Sequence, residues 1–179
     1  METKSNNQNE MTTQQGNGKL REFFVDQLKD IYWAEHALAK ALQKLMKAST
    51  SPKLAKAFEK HTKETEGQIK ILDQVFELMG EKAEAKKCEA MEGIIKEADS
   101  VIEDTEKDTY TRDAGLIMAS QKAEHYEIAS YGTLVILAQQ IGENQVADLL
   151  EKILGQEKKT DITLTIIAED KVNECAAQE

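Results

Sequence analysis

Proline is nearly absent from this chain: Pro52 is the only one in 179 residues, beside nine glycines and two cysteines. So few turn-forming residues exclude the many short strands and tight turns of a β-sandwich or barrel. Cys88 and Cys175 are too few for a disulfide framework and suit a reducing compartment. No uninterrupted apolar run approaches the roughly 20 residues that a membrane span requires, and the polar N-terminus does not read as a secretory signal. Positive charge is also short, with 23 Lys and Arg against 33 Asp and Glu and a formal net charge of -10. Proteins that coat DNA or RNA draw affinity from Lys and Arg set against phosphates, so nucleic acid is not an expected partner. What is present, 40% hydrophobic residues in a chain of single-domain length, suffices for one sizeable core. The expectation is a helical, acidic, cytoplasmic protein without a membrane or nucleic-acid partner.

Residues 1–18 are polar, with almost no apolar side chains to offset the entropy of ordering, and read as a disordered tail. From residue 19 the apolar period becomes helical. Phe24, Leu28, Ile31, Glu35, Leu38, Leu42 and Leu45 form one stripe at three- and four-residue steps. Pro52, tolerated in a first helical turn, opens a second helix that ends near Gly80. Its stripe is Ala57, His61, Glu64, Gln68, Ile71, Val75 and Leu78. A shorter amphipathic segment, 83–106, leads to long helices over 113–141 and 145–172, with Gly142 at the break and a tail over 174–179. Two helical hairpins joined by a long crossover are the ferritin-like variant of the four-helix bundle. The predicted fold is therefore all-α, a ferritin-like four-helix bundle over 19–173 whose crossover contains an extra helix. An elongated array of hairpins lacks a supporting 34- to 45-residue repeat.

Carboxylates interrupt these stripes where apolar side chains belong. Glu35 does so on the first helix and Glu64 on the second, beside His61 and Gln68. Glu124 and Glu127 fall on adjoining inward stripes of the fourth helix, and Glu157 and Asp161 on that of the last. An offset of 92 residues sets Glu35 on Glu127, and one of 93 sets Glu64 on Glu157. At about 1.5 Å per residue, all four helices bring acidic residues to one level of the bundle. Any one of them can be a solvated surface residue. As a set, ionised carboxylates in a core would repel and lose hydration at several kcal/mol each. The basic residues of the first helix, Lys29, Lys40, Lys44 and Lys47, lie off its apolar stripe, whereas two divalent cations would supply the missing charge. Oxygen donors with at most one imidazole suit iron, manganese or magnesium. The Glu-x-x-His pairs of the di-iron bundles are missing: Gly67 follows Glu64 at three residues, and Thr160 follows Glu157.

Five segments carry a resemblance. They are Asp30-Ile-Tyr-Trp-Ala-Glu35, His61-Thr-Lys-Glu-Thr-Glu-Gly-Gln68, Cys88-Glu-Ala-Met-Glu-Gly93, Glu124-His-Tyr-Glu-Ile-Ala-Ser-Tyr-Gly-Thr-Leu134 and Glu157-Lys-Lys-Thr-Asp161. Over 20–172 the chain resembles the YciE/YciF family of bacterial ferritin-like proteins. The resemblance implies a ferritin-like bundle, a homodimer and a link to stress, and brings no assigned reaction. With the stripes, it implies a metal-ligand set of Glu35, Glu64, Glu124, Glu127, Glu157 and Asp161, with Glu64 and Glu157 as bridges. Gln68 is a neutral ligand or a hydrogen-bond partner of one. His61 is a ligand, a donor to a ligating carboxylate, or a satisfied core histidine. His36 and His125 lie about 100° round their helices from the neighbouring carboxylates. Tyr32, Trp33, Tyr126 and Tyr131 serve packing, hydrogen bonding to carboxylates or charge transfer, and Glu92 serves at most a contact between crossover and bundle.

Two functions follow. One is a di-metal redox protein, with two iron ions or iron and manganese, that meets a small oxidant (O₂ or a peroxide) during stress. The other is a metal-binding or structural stress protein without turnover. A DNA-protecting miniature ferritin is disfavoured by the acidic charge and the lack of a basic arm.

Overall fold

The computed structural model describes the backbone from Asn6 and side chains from Gly18 onward. Helix α1 (Asn6–Ala48) is followed by α2 (Pro52–Met79), α3 (Glu89–Asp104), α4 (Tyr110–Gln140) and α5 (Asn144–Ile167). A π-helical turn (Ala168–Val172) and a short α6 (Asn173–Ala176) complete the chain. The segment expected as a polar tail, 1–18, falls almost wholly on residues whose side chains lie outside those described, and residues 1–5 lie outside altogether. Among the described residues no helix is long and apolar enough to cross a membrane.

The apolar stripe of α1 is buried as its period requires: Phe24, Leu28, Ile31, Leu38, Leu42 and Leu45 are each at most 3% exposed. Side chains of this size contribute roughly 1.5–3 kcal/mol each on full burial. Ser51 caps α2, its hydroxyl accepting from the Leu54 N–H, and Pro52 occupies the first turn. The helix stops at Gly80, whose φ of 66° is left-handed, and the N–H of Glu81 returns to the Phe76 carbonyl. Glycine takes that conformation without the strain a Cβ would add.

Short turns make α1 and α2 antiparallel neighbours, and likewise α4 and α5. The pairs close into a bundle through contacts of α2 with α5 and of α1 with α4. The crossover runs along the outside of α1. Lys86 donates its N–H to the Lys29 carbonyl, Lys29 pairs with Glu84 at 3.1 Å and Lys44 with Asp99 at 3.0 Å. Helix α3 thus lies over the α1–α4 seam. Its Val101 approaches Gly115 of α4 so closely that a Cβ there would stand 2.6 Å from the valine Cγ1.

The start of α4 is pinned to the α1–α2 turn by Asp113. Its carboxylate accepts from the N–H groups of Thr50 (2.7 Å) and Ser51 (2.6 Å) while fully buried. The C-terminus, expected as a tail over 174–179, is instead helical to Ala176. The Glu179 carboxylate accepts from the N–H groups of Tyr110 and Thr111, in the first turn of α4, at 2.7 and 2.9 Å. Those amides have no partner within α4, which is why a carboxylate settles there.

Candidate metal centre

Four helices deliver side chains to one buried place. Glu35 comes from α1, His61 from α2, Glu124 and Glu127 from α4, and Glu157 from α5. The four carboxylates are 0% exposed and His61 is 2% exposed. Glu124 and Glu127 sit three residues apart on one helix, so they present carboxylates on neighbouring turns of one face. Donor atoms of His61, Glu124, Glu127 and Glu157 all lie within 4.8 Å of one another. The His61 Nδ1 is 3.3 Å from Glu124 Oε1, and its Nε2 is 3.6 Å from Glu157 Oε2. Yet the hydrogen-bonding of the cluster is largely unmet. Both nitrogens of His61, both oxygens of Glu124 and of Glu127, and one oxygen each of Glu35 and Glu157 are buried without a partner.

Such groups each cost about 1–3 kcal/mol when left unsatisfied, and more when charged. The buried arginine near the bundle interior, Arg112, is spent elsewhere, donating to the Ile102 carbonyl at 3.0 Å and to the Thr105 hydroxyl at 3.1 Å. Among the described residues no lysine or arginine bonds to Glu35, Glu124, Glu127 or Glu157. Burial, first, and then the negative charge of Glu157 push the carboxyls of Glu35, Glu124 and Glu127 well above the usual glutamate range. The hydrogen bond from Tyr131 opposes that rise at Glu35. Orphaned oxygen atoms thus converge with one imidazole in a buried cluster that could hold a metal ion.

The residues predicted from sequence divide on inspection. Glu35 reaches the same interior but is held by Tyr131, whose phenol donates to its Oε1. Gln68 is buried and donates to Glu157, and also to Gln156 at 3.1 Å. Glu64 stands apart from the cluster: its side chain is 25% exposed and accepts from Lys60 at 2.5 Å. The cause is a one-residue difference in the inward face of α2. Thr65, Leu72 and Met79 are buried there, where the stripe read from sequence placed Glu64, Ile71 and Leu78. Thr65, with its hydroxyl bonded to the His61 carbonyl at 3.0 Å, thus fills the position opposite Glu157 under the 92-residue offset. Asp161 also stands outside the cluster, 21% exposed, accepting from Gln121 at 2.9 Å and lying 3.5 Å from His125.

The aromatic residues are assigned in part by their bonds. Tyr32 donates to Asp73 at 2.8 Å and packs edge-on against Phe76 and His36. Tyr126 donates to Asp30 at 2.8 Å and lies 3.0 Å from the Cys88 sulfur. Cys88 caps α3, its sulfur accepting from the Met91 N–H, and burial pushes its thiol pKa up. Glu92 pairs with Lys87 and Lys96 at 2.9 and 3.0 Å, within the crossover. Sequence reasoning missed Thr65 and Gln156. A threonine inside an apolar stripe is a weak signal, and Gln156 precedes a glutamate that already accounts for the polar break.

Residues 19–177 match a family described as Domain of unknown function (DUF892). The chain is 51% identical to Protein YciF of Escherichia coli strain K12 over 158 residues, which cover 88% of this chain and 95% of that protein. Among solved structures, that of the Escherichia coli stress protein YciF superposes with a TM-score of 0.82, covering 86% of this chain and 97% of the other. YcfI of Rhodopseudomonas palustris, 36% identical, gives 0.79 with 82% and 92% covered. A Xanthomonas campestris protein, 26% identical, gives 0.71 with 90% and 98% covered.

Proposed function

The chain belongs to the DUF892 family, and we propose that it holds two divalent metal ions, iron in the working protein, and reacts with a small oxidant during stress. The oxidant is O₂ or a peroxide. The observation that supports this reading is the set of buried, partnerless oxygens on Glu35, Glu124, Glu127 and Glu157, together with the free ring nitrogens of His61. Two divalent ions balance four carboxylates, whereas one would leave two negative charges buried at several kcal/mol each. His61, Glu124, Glu127 and Glu157 would hold the first ion, and Glu35, with Oε2 free, adds a donor for the second. The stress role rests on the likeness to the Escherichia coli stress protein.

Bound iron supplies one-electron redox chemistry, and the protein supplies its setting. Tyr131 holds Oε1 of Glu35, and Gln68 holds Oε1 of Glu157, so each carboxylate keeps one oxygen for the cation. Phe58 and Leu164, both buried, limit the access of water to His61. The low dielectric that results strengthens every charge interaction within the site.

Protein purified without added metal and analysed for metal content, then titrated anaerobically with Fe(II) and exposed to O₂ or H₂O₂, tests the proposal. The expected result is two Fe(II) per chain, oxidised faster than iron in buffer. Binding no greater than that of a Glu124→Gln, Glu157→Gln double variant would sink the metal assignment. Tight binding with oxidation no faster than in buffer would leave a metal-holding protein and remove the redox role.

A further inference from the structure

Every donor of the centre is buried, so an arriving ion must cross the helical wall. Between α2 and α5 lies a cavity of about 20 Å³ whose lining includes Phe58, Lys60, His61, Glu64, Thr160 and Leu164. That volume admits about one water molecule; a largely dehydrated divalent cation fits it and an organic ligand does not. The lining passes from surface to interior: the Lys60 side chain is 59% exposed, that of Glu64 25%, and His61 2%. At the inner end stands an imidazole with both nitrogens unpartnered. At the outer end stands a carboxylate bridged by the ammonium of Lys60, 2.5 Å away. Three larger cavities, lined in turn by Phe23 and Tyr126, by Gln121 and His125, and by Trp33 and Lys40, touch no donor of the centre.

We propose that this gap is the port through which a divalent cation reaches the centre, with Glu64 as the capturing carboxylate and Lys60 as the side chain that closes the mouth. The inference rests on the metal reading above. An exposed i,i+4 ion pair is weak, so it opens readily, and an incoming cation competes with the ammonium for the same oxygens. Glu64 then hands the ion inward to His61, three residues earlier on the same helix. A port residue acts on the barrier alone. It alters uptake and release by one factor and leaves the amount held unchanged, whereas a ligand alters the amount held.

Metal-free full-length protein mixed with Mn(II) distinguishes the two. Uptake is followed by loss of the free-ion electron paramagnetic resonance signal, and release by its return to an excess of chelator. Glu64→Gln should slow both processes on the order of tenfold, the scale of local electrostatic steering, and Lys60→Ala should quicken both. Each variant should hold the wild-type complement of Mn(II) at saturation. Both positions are solvent-accessible, and circular dichroism confirms that each variant is folded. A Glu64→Gln variant that holds less Mn(II) at saturation makes Glu64 a ligand and overturns the port. Unchanged rates in both variants, with normal Mn(II) binding, overturn the port and leave the metal centre standing. A wild-type chain that takes up no Mn(II) overturns both.

Discussion

Tyr131 donates its phenolic hydrogen to Oε1 of Glu35, so one hydrogen bond between two fully buried side chains ties α4 to α1. Tyr131→Phe preserves the ring and leaves Glu35 without a partner on either oxygen. Metal-free protein should lose about 1–3 kcal/mol, the cost of orphaning a buried acceptor, and metal-loaded protein less. Urea midpoints of the two forms measure the difference. Equal midpoints for variant and wild type in the metal-free state would show the bond to be energetically idle.

The raised carboxyls of Glu35, Glu124 and Glu127 make the metal-free fold pH-dependent in a definite sense. An acid with a higher pKa in the folded than the unfolded chain binds more protons when folded, so its stabilising contribution is full below the unfolded value. It is lost as pH rises toward the folded value. Stability of the metal-free protein should therefore fall between mildly acidic and neutral pH, and metal, replacing the protons, should abolish the fall. Chemical unfolding at both pH values, with and without Mn(II), checks this. A flat metal-free profile would contradict the clustering.

Glu124→Gln should act with opposite signs on stability and on binding. It removes a buried negative charge that no cation offsets, and should stabilise the metal-free chain at neutral pH by about 1–3 kcal/mol, the scale found when buried charges are neutralised. It should also weaken metal binding. Glu64→Gln, at a partly exposed position, should change metal-free stability by less than about 0.5 kcal/mol. Paired urea and Mn(II) titrations test both, and a destabilised Glu124→Gln would show that the carboxylate has a partner after all.

Asp113→Ala should cost about 2–3 kcal/mol, because the N–H groups of Thr50 and Ser51 would lose their charged acceptor in a buried turn. Asp113→Asn should cost less, since the amide oxygen still accepts from one of them. Thermal melts rank the two, and the reverse order would exclude a capping role.

Ile162 and Ile166 lie one turn apart on α5 and are 58% and 54% exposed. Adjacent exposed apolar side chains suit an isologous contact. The chain is expected to be a homodimer by light scattering, with Ile166→Asp shifting it toward 20.1 kDa. A monomeric wild type would refute the expectation directly.

The helices were legible because apolar spacing, Pro52, Gly80 and Gly142 mark their faces and ends. The burial of Glu35, Glu124, Glu127 and Glu157 was legible because each breaks an apolar row. Glu64 illustrates the limit. Successive residues differ by about 100° round a helix, and α2 has apolar residues at both Ile71 and Leu72 and at both Leu78 and Met79. Either register reads as a stripe, and only the packing of α2 against α1 and α5 selects the one that turns Thr65 inward and Glu64 to the rim. The docking of Glu179 on α4 was illegible for another reason, as it joins residues 69 apart through backbone amides that carry no side-chain signature.

The division of donors between two hairpins on either side of the crossover orders events during synthesis. A chain emerging from the ribosome presents Glu35 and His61 first, one carboxylate and one imidazole, too few to retain a metal ion. Glu124 and Glu127 follow, and Glu157 comes only with α5, whose docking closes the bundle. On the metal reading proposed above, acquisition follows folding, and the nascent chain would pass through the metal pool of the cell without being trapped in a half-built, metal-bound form.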